Sequence, residues 1–327
     1  SNIPSIELAQ RLINIAPQGL TKVFYSDNGS TSVEIALKMA FQYWQQKSKT
    51  TRKKIRFVYL NNSYHGDTIG SVSVGGIDLF HKIFHPLLFN SFKVEAPYCY
   101  RCPLNKTYPS CRLGCLGGLE KILSREHKNV AALIIEPIVQ GAGGMIVWPK
   151  GALTKIRRIC DKYNVLLIAD EVAVGFGRTG RMFACEHEGI TPDIMCLSKG
   201  LSAGYLPLAA TLTKEEIYNT FLADYKDRKT FFHGHSFTGN PLACSAAIAS
   251  LEVFAKEKTL DKMQPKIKFL KAGLKRFMGL SHVGDIRQKG FMVGIELVKE
   301  KNARRPYPWQ DKIGIKVVQE TRRRGLI

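Results

Sequence analysis

The chain has 327 residues, of which 45% are hydrophobic and 23% charged. That balance excludes a disordered or low-complexity chain and suits a large sheet-based domain plus part of a second. A formal charge of +21 favours anionic ligands by steering, and no apolar run of about 18 residues exists to cross a bilayer, so no membrane partner is expected.

The first residues, Ser1 to Ile6, lack the charged-then-apolar pattern of a signal peptide and read as a chain entered mid-fold. Ser26, Asp27, Asn28, Gly29, Ser30 and Thr31 open an amphipathic helix whose apolar positions are Val33, Leu37, Ala40, Phe41 and Trp44. Thr31 and Glu34 have the spacing of a capping box. Gly29 and Ser30 at a helix start suit a phosphate, although such residues more often serve as a plain cap.

Basic residues then gather at Lys47, Lys49, Arg52, Lys53, Lys54 and Arg56, and again at Arg322, Arg323 and Arg324. Clustered cations are what a nucleic-acid binder needs. The first cluster has no interleaved aromatics and sits between a helix pattern and an apolar strand. It reads as solvated surface, and no nucleic-acid partner is expected.

Continuous apolar runs at residues 55–60, 131–135, 165–169 and 194–197 read as strands buried on both faces. A helix pattern at 153–163 lies between two of them, with Leu153, Ile156, Ile159 and Cys160 on one stripe. The alternation predicts an α/β domain with a mostly parallel sheet. After Pro241 come an Ala-rich helix pattern at 242–255 and a basic amphipathic one at 260–277. Residues 286–297 then alternate like strands of a smaller α+β unit. A boundary near residue 250 divides the chain into 1–250 and 251–327.

Ligands in open α/β sheets bind at the carboxyl ends of strands. There the runs deliver Glu136, then Asp170 and Glu171, then Ser198 and Lys199. A carboxylate and a lysine on one rim suit pyridoxal 5′-phosphate (PLP). The lysine amine forms a Schiff base, and the carboxylate keeps the pyridine nitrogen protonated so that the ring draws electrons. The same amine can move a substrate proton. Tyr64, after the strand at Leu60, could stack on a planar ring or simply pack. The stretch 233–241 (HGHSFTGNP) reads equally as an anion-binding turn or as capping by Asn240.

Taken together, six segments resemble the class III (ornithine/ω-amino-acid type) PLP aminotransferases. They are 24–44 (FYSDNGSTSVEIALKMAFQYW), 64–68 (YHGDT), 136–145 (EPIVQGAGGM), 170–180 (DEVAVGFGRTG), 197–201 (LSKGL) and 233–241, in the family's order. The resemblance implies the fold-type I architecture: a large domain with a seven-stranded, mostly parallel sheet and a small α+β domain. It implies that Lys199 carries PLP and Asp170 meets the pyridine nitrogen. Gly29 and Ser30 would hold the phosphate, while Tyr64 would lie against the ring and border the substrate. His235 and Ser236 would reach the phosphate of a neighbouring subunit, with Gly234 near the substrate and Arg178 and Asp67 facing it. Homodimers with shared sites follow, acting on a keto-acid acceptor and an amino donor. The stretch 140–145 lacks the second glutamate of several family branches, which points to the biotin-pathway branch. The alternative is another diamine or ω-amino-acid aminotransferase.

Two features depart from the family pattern. The family's N-terminal pocket segment and the substrate arginine that follows a stretch like residues 322–327 are not in this sequence. The small domain is therefore expected to be partial, and the chain to hold PLP more readily than it turns over. Cys99, Cys102, Cys111 and Cys115 have a zinc-like spacing. Their Pro-, Tyr- and Arg-rich surroundings read as a surface loop with free thiols, so no metal site is assigned. Eight cysteines without dense pairing indicate a reducing cytoplasm.

Overall fold

The computed structural model describes residues 2–326, leaving Ser1 and Ile327 outside the described residues. In chain order the strands are β1 (Leu20–Ser26), β2 (Arg56–Leu60), β3 (Phe92–Val94), β4 (Val130–Ile135), β5 (Val139–Gln140) and β6 (Ile146–Val147). Then follow β7 (Leu166–Asp170), β8 (Ile194–Leu197), β9 (Ala209–Lys214), β10 (Val283–Lys289), β11 (Met292–Glu300) and β12 (Arg305–Pro306). The helices are α1 (Ile3–Ile15), α2 (Gly29–Lys47), α3 (Ile69–Ser73), α4 (Asp78–His81) and α5 (Gly117–Glu126). The rest are α6 (Ala152–Lys162), α7 (Glu215–Asn219), α8 (Pro241–Lys256), α9 (Thr259–Lys275) and α10 (Ile313–Arg323).

Seven strands form the main sheet in the order β1-β9-β8-β7-β4-β2-β3. The pairs β8/β7, β7/β4, β4/β2 and β2/β3 are parallel, and only the β1/β9 and β9/β8 pairs are antiparallel. The expected mostly parallel, seven-stranded sheet is thus the one that forms. Every residue of β4 and β7 is buried, because helices cover both faces.

Strand periodicity divides the core between those faces. Leu133, Ile135, Leu167, Ala169, Met195 and Leu197 face one cluster together with Leu153 and Ile156 of α6 and Leu119 and Leu123 of α5. Ala132, Ile134, Leu166, Ile168, Ile194 and Cys196 face the other, against Val33, Ala36, Ala40 and Trp44 of α2. Each large side chain so buried contributes roughly 1.5–3 kcal/mol. Trp44 also donates from Nε1 to the Ala131 carbonyl at 2.8 Å, which fixes α2 across β4.

Several boundaries move from their sequence-based positions. Ile55 is half exposed and precedes β2. The third run extends to Asp170, because that residue pairs with Cys196 in the β7/β8 ladder. The alternating stretch at 286–297 is a hairpin of β10 and β11 turning at Gly290, where φ is +61°. A Cβ there would lie 2.4 Å from the Arg178 carbonyl oxygen, so glycine lets this hairpin reach the loop after β7. Phe291 N–H donates to that same carbonyl at 3.0 Å.

Candidate active site

The parallel strands β2, β4, β7 and β8 end on one rim, and each releases a functional group there. Lys199 begins the turn after β8, with a left-handed φ of +44°. It lines a cleft of about 750 Å³ with Val172, Phe176, Arg178, Met145 and Met292. Arg178 lines the same cleft.

Asp170 ends β7 and is buried. Its Oδ2 accepts from His65 Nδ1 at 2.7 Å, and its Oδ1 accepts from Val172 N–H at 3.0 Å. Val172 bridges two parts of the site, since it lines the cleft with Lys199 and stands 2.7 Å from where a Gly29 Cβ would be. The start of α2 thus reaches Asp170's own loop.

Glu136 directly follows β4 and is buried. Oε1 accepts from Tyr64 N–H at 3.0 Å and Oε2 from Gly141 N–H at 2.8 Å. Burial pushes its carboxyl up to about 7, against the pull of nearby His65. It anchors the loop carrying Tyr64 to the one that walls the cleft. Tyr64 donates from its hydroxyl to Asp67 Oδ2 at 2.7 Å and stacks on the buried ring of His81 at 6.4 Å. Burial, then the Asp67 hydrogen bond, pushes its phenol up to about 12, so it stays neutral.

Ser30 is held in place by its neighbours. Its Oγ accepts from Asp67 N–H at 3.1 Å, and Gly66, at φ +112°, lies so close that a Cβ would meet that oxygen at 1.9 Å. The cap of α2 differs from the expected Thr31/Glu34 box. Asn28 caps the helix, its Oδ1 accepting from Thr31 N–H at 3.0 Å, while Thr31 Oγ1 accepts from Asn28 N–H at 3.2 Å. Glu34 instead accepts from Gly70 N–H at 2.7 Å. The cap thus lies one turn earlier, and the first helical N–H groups stay with Gly29 and Ser30.

The chain does not bring Gly234, His235 or Ser236 to the Lys199 cleft. They are exposed, and His235 Nε2 lies 3.7 Å from Asp27 Oδ1, outside the start of α2. Asn240 caps α8 through Leu242 N–H and Ala243 N–H, so the capping reading of that stretch is realised.

His65 and Gly66 escaped the sequence reading as separate functional positions. Their partners, Asp170 and Ser30, lie far off in sequence, and only their place after a buried strand signalled them.

The class-III aminotransferase family model matches residues 1–327. The chain belongs to this family. It is 54% identical to the adenosylmethionine-8-amino-7-oxononanoate aminotransferase of Geobacter sulfurreducens, over all of this chain and 72% of that protein. With the enzyme of the same name from Nitratidesulfovibrio vulgaris it shares 54% identity, over 99% of this chain and 60% of that one. A crystal structure of the Methanocaldococcus jannaschii enzyme of that name superposes with a TM-score of 0.93 at 44% identity, covering 100% of this chain and 72% of that one. The ω-transaminase of Pseudomonas jessenii, solved in complex with PMP, superposes at 0.89 and 35% identity, over 94% and 68% of the two chains. This class-III chain therefore has the transaminase fold, with the sheet rim described above as its candidate site.

Proposed function

We propose that this aminotransferase binds PLP on Lys199 and transfers an amino group to 7-keto-8-aminopelargonate, giving 7,8-diaminopelargonate for biotin biosynthesis. The observation that carries the reading is the rim itself. Lys199 and Asp170 leave neighbouring parallel strands, with Asp170 locked by two hydrogen bonds. The names of relatives about half identical supply the substrate class.

The residues fit the cofactor by their own chemistry. A buried carboxylate held by His65 suits a protonated pyridine nitrogen. The free N–H groups at the start of α2, with the fixed Ser30 hydroxyl, suit a phosphate dianion. Gly66 leaves room for that hydroxyl, and Tyr64 offers a neutral face. When bound, PLP supplies the electron sink that stabilises negative charge developing on the substrate carbon.

Asp170 sustains that sink by keeping its positive partner charged in a buried setting. With the cofactor in place, the freed Lys199 amine would take the proton from the substrate carbon, acting as the general base of the site. Arg178 presents a cation to the cleft for an anionic substrate. Val172, Phe176 and Met292 exclude water from it.

A second copy completes the site in this reading. His235, Ser236 and Gly234 are exposed and near the α2 end, positioned to serve a partner's phosphate and substrate. Exposed Leu79, Ile83 and Leu87 give a homodimer apolar surface to cover. Residues 1–250 belong to the cofactor domain and 251–327 to the small one. All eight cysteines are unpaired, which suits the cytoplasm.

The test is direct. The chain with PLP, 7-keto-8-aminopelargonate and S-adenosylmethionine or lysine yields 7,8-diaminopelargonate by mass spectrometry. Amino transfer to other keto acids only would assign the chain to another branch.

A further inference from the structure

We propose that Arg287 is a positioning residue of the Lys199 cleft. From the β10/β11 hairpin it clasps the loop 141–145 and sets the wall against which the keto-acid acceptor binds. The inference rests on the reading of that cleft as the acceptor's site.

The hairpin is built to present this arginine. Residues two apart on a strand share a face, so Asp285 and Arg287 stand side by side, with Glu296 paired opposite Asp285. Arg287 Nη1 donates to Asp285 Oδ2 at 2.9 Å and to Glu296 Oε2 at 2.7 Å. Its side chain is only 10% exposed, and the guanidinium lies 5.2 Å from the Tyr98 ring centre. Two carboxylates thus hold one side of a rigid fork. The other donors go to the loop: Nη2 to the Gly144 carbonyl at 2.8 Å and Nε to the Met145 carbonyl at 3.1 Å. Opposite Arg287 in the ladder is Gly294. A Cβ there would lie 3.0 Å from the Gly144 carbonyl oxygen and 3.1 Å from Met145 Cβ. The absent side chain makes the socket that the loop enters.

The loop needs this outside hold. Met145 has a left-handed φ of +52°, and a non-glycine residue in that region persists only where its surroundings over-determine it. Gly144 N–H and Met145 N–H both donate to the Gly141 carbonyl, at 3.1 and 2.9 Å, while Glu136 holds Gly141 N–H at 2.8 Å. Gly141, Ala142 and Met145 line the cleft with Lys199, as does Met292 of the same hairpin. One wall is therefore fixed at both ends, by a carboxylate from the sheet rim and by an arginine from the hairpin. None of the hydrogen bonds of Arg287 goes to Asp170, His65, Ser30 or Gly66. The clasp acts on the acceptor's wall and not on the cofactor's anchors.

The experiment compares the full chain with Arg287→Met, Arg287→Lys and Gly294→Ala. It reads PLP affinity with the Schiff-base band, the affinity of the pyridoxamine-phosphate-loaded chain for 7-keto-8-aminopelargonate by calorimetry, and amide hydrogen exchange over residues 141–147. Arg287→Met should leave the band and PLP affinity as they were, weaken keto-acid binding about tenfold or more, and speed exchange in the loop. Arg287→Lys should fall between, because an ammonium cannot span both carboxylates and both carbonyls. Gly294→Ala pushes on the same loop with every charge intact. It should also weaken keto-acid binding, and it decides the matter should Arg287→Met fail to fold. Unchanged keto-acid affinity in the folded variants, or unchanged exchange in the loop, would overturn the proposal. So would a loss of PLP affinity as large as the loss for the keto acid, which marks a general structural role. An unaltered chain without a Schiff-base band would count against the cofactor reading instead, and unchanged loop exchange would still overturn the clasp.

Discussion

His65 donates from Nδ1 to Asp170 Oδ2 at 2.7 Å, and both side chains are buried beneath the rim that carries Lys199. The pair joins the loop after β2 to the end of β7. Asp170→Ala would leave a buried imidazole without its partner and the cofactor nitrogen without its counter-charge. Loss of one such preorganised group costs about 10²–10³ in turnover. His65→Phe removes a hydrogen bond to a charged group, worth about 1.5–3 kcal/mol, and should lower kcat about tenfold or somewhat more with weaker PLP binding. Steady-state rates and equilibrium dialysis of PLP check both, and unchanged PLP affinity in His65→Phe would count against the positioning role.

Gly66→Ala would drive a methyl group into the Ser30 hydroxyl and strain a left-handed backbone. The phosphate cradle shifts while the distant core does not. PLP affinity should fall at least about tenfold, with the far-ultraviolet circular dichroism unchanged. A fluorescence titration with PLP measures it.

The sheet was legible where strands are buried on both faces. The run at 131–135 read as a strand because all of β4 lies in the core. The strands β1 and β9 went unnoticed, because Thr21 and Lys22 interrupt one and Thr211 and Thr213 the other. Lys199 and Asp170 were readable because each ends an apolar run. The His65–Asp170 and Gly66–Ser30 contacts carry no local pattern, since each joins two segments that meet only once the sheet has formed. The cap at Asn28 was misplaced by one turn, as two overlapping spacings both satisfied the capping rule.

Glu136 and Glu171 are buried carboxyls, each pushed up to about 7 by desolvation. The folded chain keeps their protons where the unfolded chain, near 4.5, has lost them. Their contribution to stability is full below about 4.5, falls as pH rises to about 7, and is level above. Glu136→Gln should flatten that fall while lowering stability overall, because an amide cannot accept from both Tyr64 N–H and Gly141 N–H. Urea unfolding at a series of pH values measures the slope.

Lys54 is a buried cation with a structural task. Its Nζ donates to the carbonyls of His127, Asn164 and Val130 at 2.7, 2.8 and 3.2 Å, and lies 4.4 Å from the Trp44 ring centre. Lys54→Met leaves three carbonyls without their donor and should destabilise the chain by about 2–4 kcal/mol. Activity per folded molecule should not change, because the residue lies far from the rim in the contacts it makes. Chemical denaturation beside an activity assay separates the two.

The visible absorbance spectrum of the chain with PLP, before and after adding S-adenosylmethionine or lysine, tests the central claim most directly. A Schiff-base band that is lost in Lys199→Ala and converted to the amine form of the cofactor by one donor is the predicted result. A band that persists in Lys199→Ala would contradict Lys199 as the attachment point. No band in the unaltered chain would contradict the proposed cofactor site itself.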